Sequence, residues 1–352
     1  MLVLSGGNVP KVMKAAFVLS VDEVAVDEVA VPSLDADDVL VRVLVCGVCA
    51  SDVKFVKGLK TYRETSFGRG FPGFTGHEWV GKVVATGENV TGFRPGDRVV
   101  PFLIKSCGMC RFCRRGRVNL CGSKTYVHGG FAEYVKAPLK NLIKIPEAID
   151  AEDACLVEPL ACCLHGLEKL ELEKDSLVLM LGDGPMGLLN TILLKAFGMR
   201  VVVAGRREHR LSTALKLGAD HAVNVREKDL REKVLKLSDG VGADAVVLAI
   251  NNPSAVETAL RLVSKGGTLN ILAGAHPDYD ASFNPNKIHY GEITITGSAD
   301  AYREHYVKAV ELIKTRKVKP SATISNTYTL NETGDAFKTA MAKTGNKVVV
   351  KP

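Results

Sequence analysis

An apolar run at residues 176–181 ends in Gly182-Asp183-Gly184-Pro185-Met186-Gly187, and a helical apolar pattern begins at once at residues 188–197. This strand, G-x-G-x-x-G turn and helix leave the chain little freedom. The first two glycines permit a tight turn and close approach of the backbone to a pyrophosphate, and the third lets the helix pack on the strand. The amides at the helix start then face the anion. The motif reads as a dinucleotide site whose contacts are Gly182, Gly184, Pro185, Met186 and Gly187; the bland alternative is a structural glycine turn.

The surrounding pattern supports the first reading. Strand-like runs at 200–204, 245–250, 268–272 and 292–296 alternate with helical patterns at 211–217 and 256–263, and the strands are apolar on both faces. That is the texture of a parallel, doubly wound sheet. The first half differs: short β-rich runs at 13–20, 38–45, 79–85, 97–102 and 131–136 are punctuated by Gly and Pro, which predicts an antiparallel or mixed β domain. Residues 302–315 read as an amphipathic helix, followed by polar turns and a last strand at 347–350 that returns to the first domain. The expected division is 1–161 with 299–352 as one domain and 162–298 as the other.

The end of the second strand of such a sheet tells which dinucleotide is used, because NAD-dependent folds usually place Asp or Glu there for the ribose 2′-hydroxyl. Here Gly205, Arg206 and Arg207 follow the strand. Gly205 removes a carboxylate that would repel a 2′-phosphate, and two guanidinium groups can bind one in bidentate fashion. NADP is therefore expected in preference to NAD. The alternative is a solvated basic turn.

Composition limits the rest. Of 352 residues, 46% are hydrophobic and 24% charged, and no apolar run reaches the roughly 18 residues a membrane span needs. The first dozen residues lack the apolar region of a secretory signal and read as a short leading extension. The net charge of +7 is spread among Asp and Glu except near residues 111–117, which argues against a nucleic-acid partner. Nine cysteines without an export signal point to a cytoplasmic protein in which thiols serve metal or catalysis before disulfides.

Four of these, Cys107, Cys110, Cys113 and Cys121, form C-x2-C-x2-C-x7-C. Four thiolates on one loop can close a tetrahedral shell around zinc with no open position, so the site reads as structural zinc; an iron–sulfur cluster is the rival. A second group is dispersed: Cys49, His77 with Glu78, and Glu158. A thiolate, an imidazole and a carboxylate from separate segments suit a catalytic zinc with one position left for substrate or water. Each residue alone has an ordinary structural explanation.

Together the motifs resemble those of the zinc-containing medium-chain dehydrogenases. Gly76-His77-Glu78-Trp79-Val80-Gly81 continuing to Gly87 and Val90, the Cys49-Ala50-Ser51-Asp52 element, the four-cysteine lobe and the Gly182 turn occur in the family's order. The resemblance implies a GroES-like, β-rich catalytic domain joined to a Rossmann coenzyme domain. It implies Cys49 and His77 as zinc ligands, Ser51 as the hydroxyl that takes the substrate's proton, and Asp52 as the partner that orients the histidine. Glu158-Pro159-Leu160 resembles the polyol and threonine dehydrogenase branch, where the glutamate after the histidine, here Glu78, can also bind zinc and the later one can hold a zinc-bound water. Both glutamates stand as candidates. Cys46, Cys155, Cys162 and Cys163 have no role in the resemblance and read as small buried residues.

The implied chemistry is hydride transfer between a hydroxyl carbon and the nicotinamide, with zinc lowering the pKa of the hydroxyl. Polyols, sugar acids and sugar-derived alcohols lead as substrates, and L-threonine follows. Lys54 stands three residues after Ser51, where the family often has a histidine that extends the proton relay. Lys57, Lys60, Arg63 and Arg69 would favour a polar or anionic substrate if their segment lines the cleft, and a solvated loop is the alternative. The family's habit implies a homo-oligomer, a dimer or tetramer. The rival from another class is a non-catalytic zinc- and nucleotide-binding redox sensor.

Overall fold

The computed structural model describes residues 9–59, 75–275 and 278–352. The leading residues 1–8 and the basic positions Lys60, Arg63 and Arg69 lie outside the described residues. The chain forms two units. One comprises the described residues of Met1–Glu158 with Tyr302–Arg316 and Ile324–Pro352, and the other comprises those of Pro159–Ala301 with Lys317–Thr323.

The first unit opens with a hairpin of β1 (Val12–Ser20) and β2 (Glu23–Ala30). Its main sheet follows: β3 (Asp38–Gly47), β4 (Glu78–Thr86) and β5 (Arg98–Pro101), with a small ribbon of β6 (Ile104–Lys105) and β7 (Thr125–Tyr126), then β8 (Tyr134–Pro138) and β9 (Leu142–Ile145). The second unit holds β10 (Leu177–Leu181), β11 (Arg200–Gly205), β12 (His221–Asn224), β13 (Ala243–Leu248), β14 (Val263–Ile271) and β15 (Thr294–Gly297). The chain then returns to the first unit with β16 (Ile324–Thr329) and β17 (Lys347–Lys351).

The first unit's sheet runs β16-β17-β3-β4-β5-β9, with β8 also paired to β3. Its pairs are antiparallel apart from β16 with β17. Trp79 of β4 and Val350 of β17 share one core with Phe131 and with Phe337 of the helix Thr333–Ala342. Within it the rings of Phe131 and Phe337 meet edge to face at 5.4 Å.

The second unit is a parallel sheet of order β12-β11-β10-β13-β14-β15. β10 reads LVLML and is buried on both faces, as a strand covered by helices must be. Its neighbours β11 and β13 lie on opposite sides, so the chain leaves β10 at the point where strand order reverses. In open parallel sheets that edge is where ligands bind. The parallel order makes this unit the doubly wound sheet of Rossmann type that was expected, and the first unit is the expected β-rich domain.

Several elements differ from the sequence expectation. β2, β12, β16 and the helices Leu230–Leu237 and Thr333–Ala342 form where no regular element was expected. The last two were hidden for different reasons. Leu230–Leu237 buries only Leu230 and Val234 under a charged surface, and Thr333–Ala342 begins with a glycine-containing turn before Ala336 and Phe337 enter the core. β16 alternates half-buried and exposed residues, so its polar text looked like a turn.

Candidate active site

The sheet of the first unit brings three segments to one place. Gly47 at the end of β3 pairs with Glu78 at the start of β4, and β17 lies along the other side of β3. Cys49 follows as the N-cap of the helix Ala50–Val56, which carries Ser51 and Asp52 in its first turn. Ligand atoms of Cys49, His77 and Glu78 consequently lie within 4.8 Å of one another. Gly47 is needed here because a side chain would strike the Glu78 carboxylate.

The buried Asp52 organises this group. Its Oδ2 accepts the Cys49 amide at 2.9 Å and its Oδ1 accepts the Gly76 amide at 3.2 Å. Oδ1 also faces Nδ1 of His77 at 3.4 Å, which leaves Nε2 as the ring nitrogen available to a metal. Burial alone would raise the Asp52 pKa, but His77 and the two amides outweigh it and hold the carboxyl below its ordinary value. Burial would likewise lower His77, yet Asp52 and Cys49 raise it well above the usual imidazole range. The Asp52 carboxylate therefore favours positive charge at this ring, from a proton or from a divalent cation.

The Glu78 carboxylate meets a second cation. Lys347, from β17, forms an ion pair with it and donates to the Val48 carbonyl at 2.9 Å. Burial would depress the Lys347 pKa, but Glu78 and Cys49 outweigh it and raise it. His128 lies beside His77 with ring centroids 5.9 Å apart, and burial and the His77 charge push it down to about 3.

The four-cysteine lobe is a separate cluster. Cys110 caps the short helix Arg111–Arg114 and accepts the Cys113 amide, while Cys121 follows the turn Val118–Leu120. The sulfur separations are 3.5 Å for Cys110 and Cys113, 3.6 Å for Cys121 and Cys107, and 3.9 Å for Cys107 and Cys113. Thiolates at about 2.3 Å from a tetrahedral zinc stand about 3.8 Å apart, so the cluster fits that ion. Amides of Met109 and Cys110 bring the Cys107 thiol down to about 6, favouring the thiolate a metal needs.

At the turn after β10, Gly182 has φ +132°, and a Cβ on Gly187 would fall on the Gly182 carbonyl oxygen. Gly184 caps the helix Pro185–Ala196, with Pro185 in its first turn. Asp183 is buried, and its Oδ2 accepts the amides of Arg206 and Arg207 at 2.8 and 2.9 Å. Its carboxylate fills the space a side chain at Gly205 would take. Position 205 lacks an acid, as read from the sequence, but the Asp183 carboxylate stands in its place.

Two family models match this chain, the alcohol dehydrogenase GroES-like domain over residues 35–147 and the zinc-binding dehydrogenase over 185–315. A sorbitol dehydrogenase of Bacillus subtilis (strain 168) is 32% identical over 343 residues, 95% of each chain. The chain belongs to the zinc-containing medium-chain dehydrogenase family. An L-threonine 3-dehydrogenase of Serratia proteamaculans (strain 568) is 30% identical over 346 residues, 96% of this dehydrogenase and 99% of the other. Among solved structures, a zinc-binding dehydrogenase of Sinorhizobium meliloti 1021 bound to NADP has a TM-score of 0.90 at 32% identity, covering 97% of this chain and 100% of its own. The dehydrogenase is thus an oxidoreductase of the polyol and threonine branch, a family that uses zinc and a nicotinamide coenzyme.

The dehydrogenase gathers Cys49, His77 and Glu78, but Glu158 is not among those grouped ligand atoms. Glu158 is buried in the first turn of the helix Val157–Leu167, where a carboxylate suits the helix dipole. Ser51 is half-buried, Arg206 exposed, and Arg207 half-buried. Cys46, Cys155 and Cys163 are buried and Cys162 half-buried. Sequence reasoning missed Lys347 and Asp183. The signal for Lys347 was a cation opening a strand whose next three residues are valines, and for Asp183 an acid inside the glycine turn. Among the described residues no helix is long and apolar enough to cross a membrane.

Proposed function

We propose that this dehydrogenase oxidises a secondary hydroxyl of a polyol, sugar acid or sugar-derived alcohol, with NADP preferred over NAD. The observation that carries the reading is the grouping of Cys49, His77 and Glu78 beside a helix whose first turn bears Ser51. One thiolate, one imidazole and one carboxylate suit a zinc with an open position. Cys49 and His77 would hold it, with Glu78 as third ligand and Glu158 in reserve; Cys107, Cys110, Cys113 and Cys121 would hold a structural zinc. Bound there, zinc would supply Lewis acidity toward the substrate oxygen, and a nicotinamide coenzyme would supply the hydride acceptor.

The chain's own groups do the rest. Asp52 fixes the His77 ring, Ser51 takes the hydroxyl proton, and the amides at the start of Pro185–Ala196, with Gly182, Gly184, Met186 and Gly187, receive the pyrophosphate. Arg206 and Arg207 favour the 2′-phosphate, and the NADP in the Sinorhizobium meliloti relative supports that choice. The unit containing Cys49 serves as the catalytic domain and the parallel sheet as the coenzyme domain. The reading includes a homo-oligomer, dimer or tetramer, and a cytoplasmic setting in which all nine cysteines stay reduced.

The test is absorbance at 340 nm with NAD or NADP against polyols, sugar acids, simple alcohols and L-threonine, with and without a zinc chelator. Chelator-sensitive, NADP-dependent turnover of a polyol or sugar acid is expected. Turnover of L-threonine instead would favour the second reading, which the Serratia proteamaculans relative supports and Lys54 in the relay position opposes. Silence from folded, zinc-loaded protein, unaltered in coenzyme binding by Cys49→Ala or Ser51→Ala, would favour a redox sensor.

A further inference from the structure

We propose that Asp183 is a specificity-determining residue for the coenzyme, taking in space the part that an acid at the end of the second strand takes elsewhere and thereby retaining NAD alongside NADP. The inference rests on the reading of this turn as a nicotinamide dinucleotide site.

The argument begins with register. Leu181 of β10 pairs with Ala204 of β11, and the Gly182 amide donates to the Ala204 carbonyl at 2.9 Å. Asp183 and Gly205 therefore leave their strands side by side at the ligand-binding edge of the sheet. A side chain on Gly205 would occupy the Asp183 carboxylate, so this corner has room for one acid, from either position but not both. NAD-using folds usually supply it from the strand end. Here the glycine turn supplies it, and Gly205 is the vacancy that admits it.

The carboxylate is held in place and still has acceptor capacity. Oδ2 takes both backbone amides, of Arg206 and Arg207, while Oδ1 has the Arg207 guanidinium only at 3.9 Å. An ionised carboxylate accepts and never donates, so a ribose 2′-hydroxyl can give its proton to this group and a 2′-phosphate cannot. The phosphate is instead repelled by Asp183 and attracted by the arginines. Arg206 is exposed, Arg207 half-buried, and the buried Arg210 stands near Gly184 and feels the Asp183 charge. One carboxylate beside the guanidinium groups of Arg207 and Arg210 leaves the corner positive, which keeps NADP bound while Asp183 offers NAD its own contact.

The experiment titrates the zinc-loaded protein with NADH and with NADPH, following reduced-nicotinamide fluorescence, and compares the two dissociation constants. Asp183→Asn keeps the size and the acceptor for the amides while removing the charge. The NADH constant should rise and the NADPH constant fall or hold, moving their ratio toward NADPH by about tenfold or more. Arg207→Gln should move the ratio the opposite way. Equal change in both constants, or no change in the ratio, overturns the proposal, because a merely structural Asp183 would weaken both coenzymes alike. If Asp183→Asn does not fold by its thermal melt, Asp183→Ser is measured for the same ratio and judged by the same criterion. Native protein that binds neither dinucleotide would instead remove the reading beneath it, whereas binding of both with an unmoved ratio removes only the role of Asp183.

Discussion

Glu78 and Lys347 form an ion pair whose side chains are 2% and 3% exposed, and the lysine also reaches the Val48 carbonyl. A carboxylate grouped with Cys49 and His77 is thus paired with a cation from far along the sequence. Replacing Lys347 with Met leaves the carboxylate buried without its counter-charge, and about 3–5 kcal/mol of stability should be lost. Guanidinium unfolding of zinc-free protein measures this. The double variant Glu78→Gln with Lys347→Met should recover much of the loss; a single variant as stable as the native protein would dismiss the pair as a structural tie.

The two cysteine-containing groups should bind metal independently. Cys110→Ser is expected to empty the four-cysteine lobe and lower the melting temperature while metal at Cys49 and His77 is kept; Cys49→Ser should do the reverse. Elemental analysis of each purified variant for zinc decides it, and simultaneous loss of both metals from either variant would contradict the separation of the sites.

Gly187→Ala puts a methyl group against the Gly182 carbonyl oxygen. The turn must open to accept it, with a cost of about 1–3 kcal/mol. NADPH binding should weaken at the same time, because the amides at the helix start move with the turn. Isothermal titration and a thermal melt give the two numbers, and unchanged values for both would show that the turn is looser than its geometry requires.

Asp220 accepts from Lys195 at 2.8 Å and from the Val201 amide at 2.7 Å. Burial pushes its carboxyl up, but these partners outweigh burial and hold it below the ordinary value. A carboxyl depressed in the folded state stabilises fully above its unfolded pKa of about 3.9, and that contribution fades as pH falls through the folded value. Asp220→Asn should therefore cost at most about 1 kcal/mol at pH 7, since Asp220 is 39% and Lys195 28% exposed. Urea unfolding across the acid range should show the gap closing below the usual carboxylate range; a gap that stays constant with pH would exclude charge as its source.

The parts legible in sequence were those with local signatures. The Gly182 turn, the Cys107 lobe and the alternation from β10 onward each announce themselves within a few residues, because turn sterics and metal geometry act at short range. Cys49, His77 and Glu78 were legible through family resemblance, since nothing local links segments that meet only when β3 pairs with β4. Lys347 and Asp183 were not legible for a related reason. The meaning of Lys347 depends on a partner brought by β17, and that of Asp183 on an absent side chain at Gly205 across the β10 and β11 pair. The helix Thr333–Ala342 escaped because its apolar stripe is short and its value comes from Phe337 meeting Phe131.

The position of β17 between β16 and β3 also sets an order of events during synthesis. Strands β10 to β15 emerge from the ribosome together and can assemble as soon as residue 297 has cleared the tunnel. The sheet around Cys49 must wait for a strand made much later, since Lys347 reaches back 299 residues to Val48. Until then Glu78 lacks its counter-ion and the end of β3 is unpaired on one side, so the group of Cys49, His77 and Glu78 should mature last, and a ribosome that stalls before residue 347 should release a finished parallel sheet attached to an unfinished β domain.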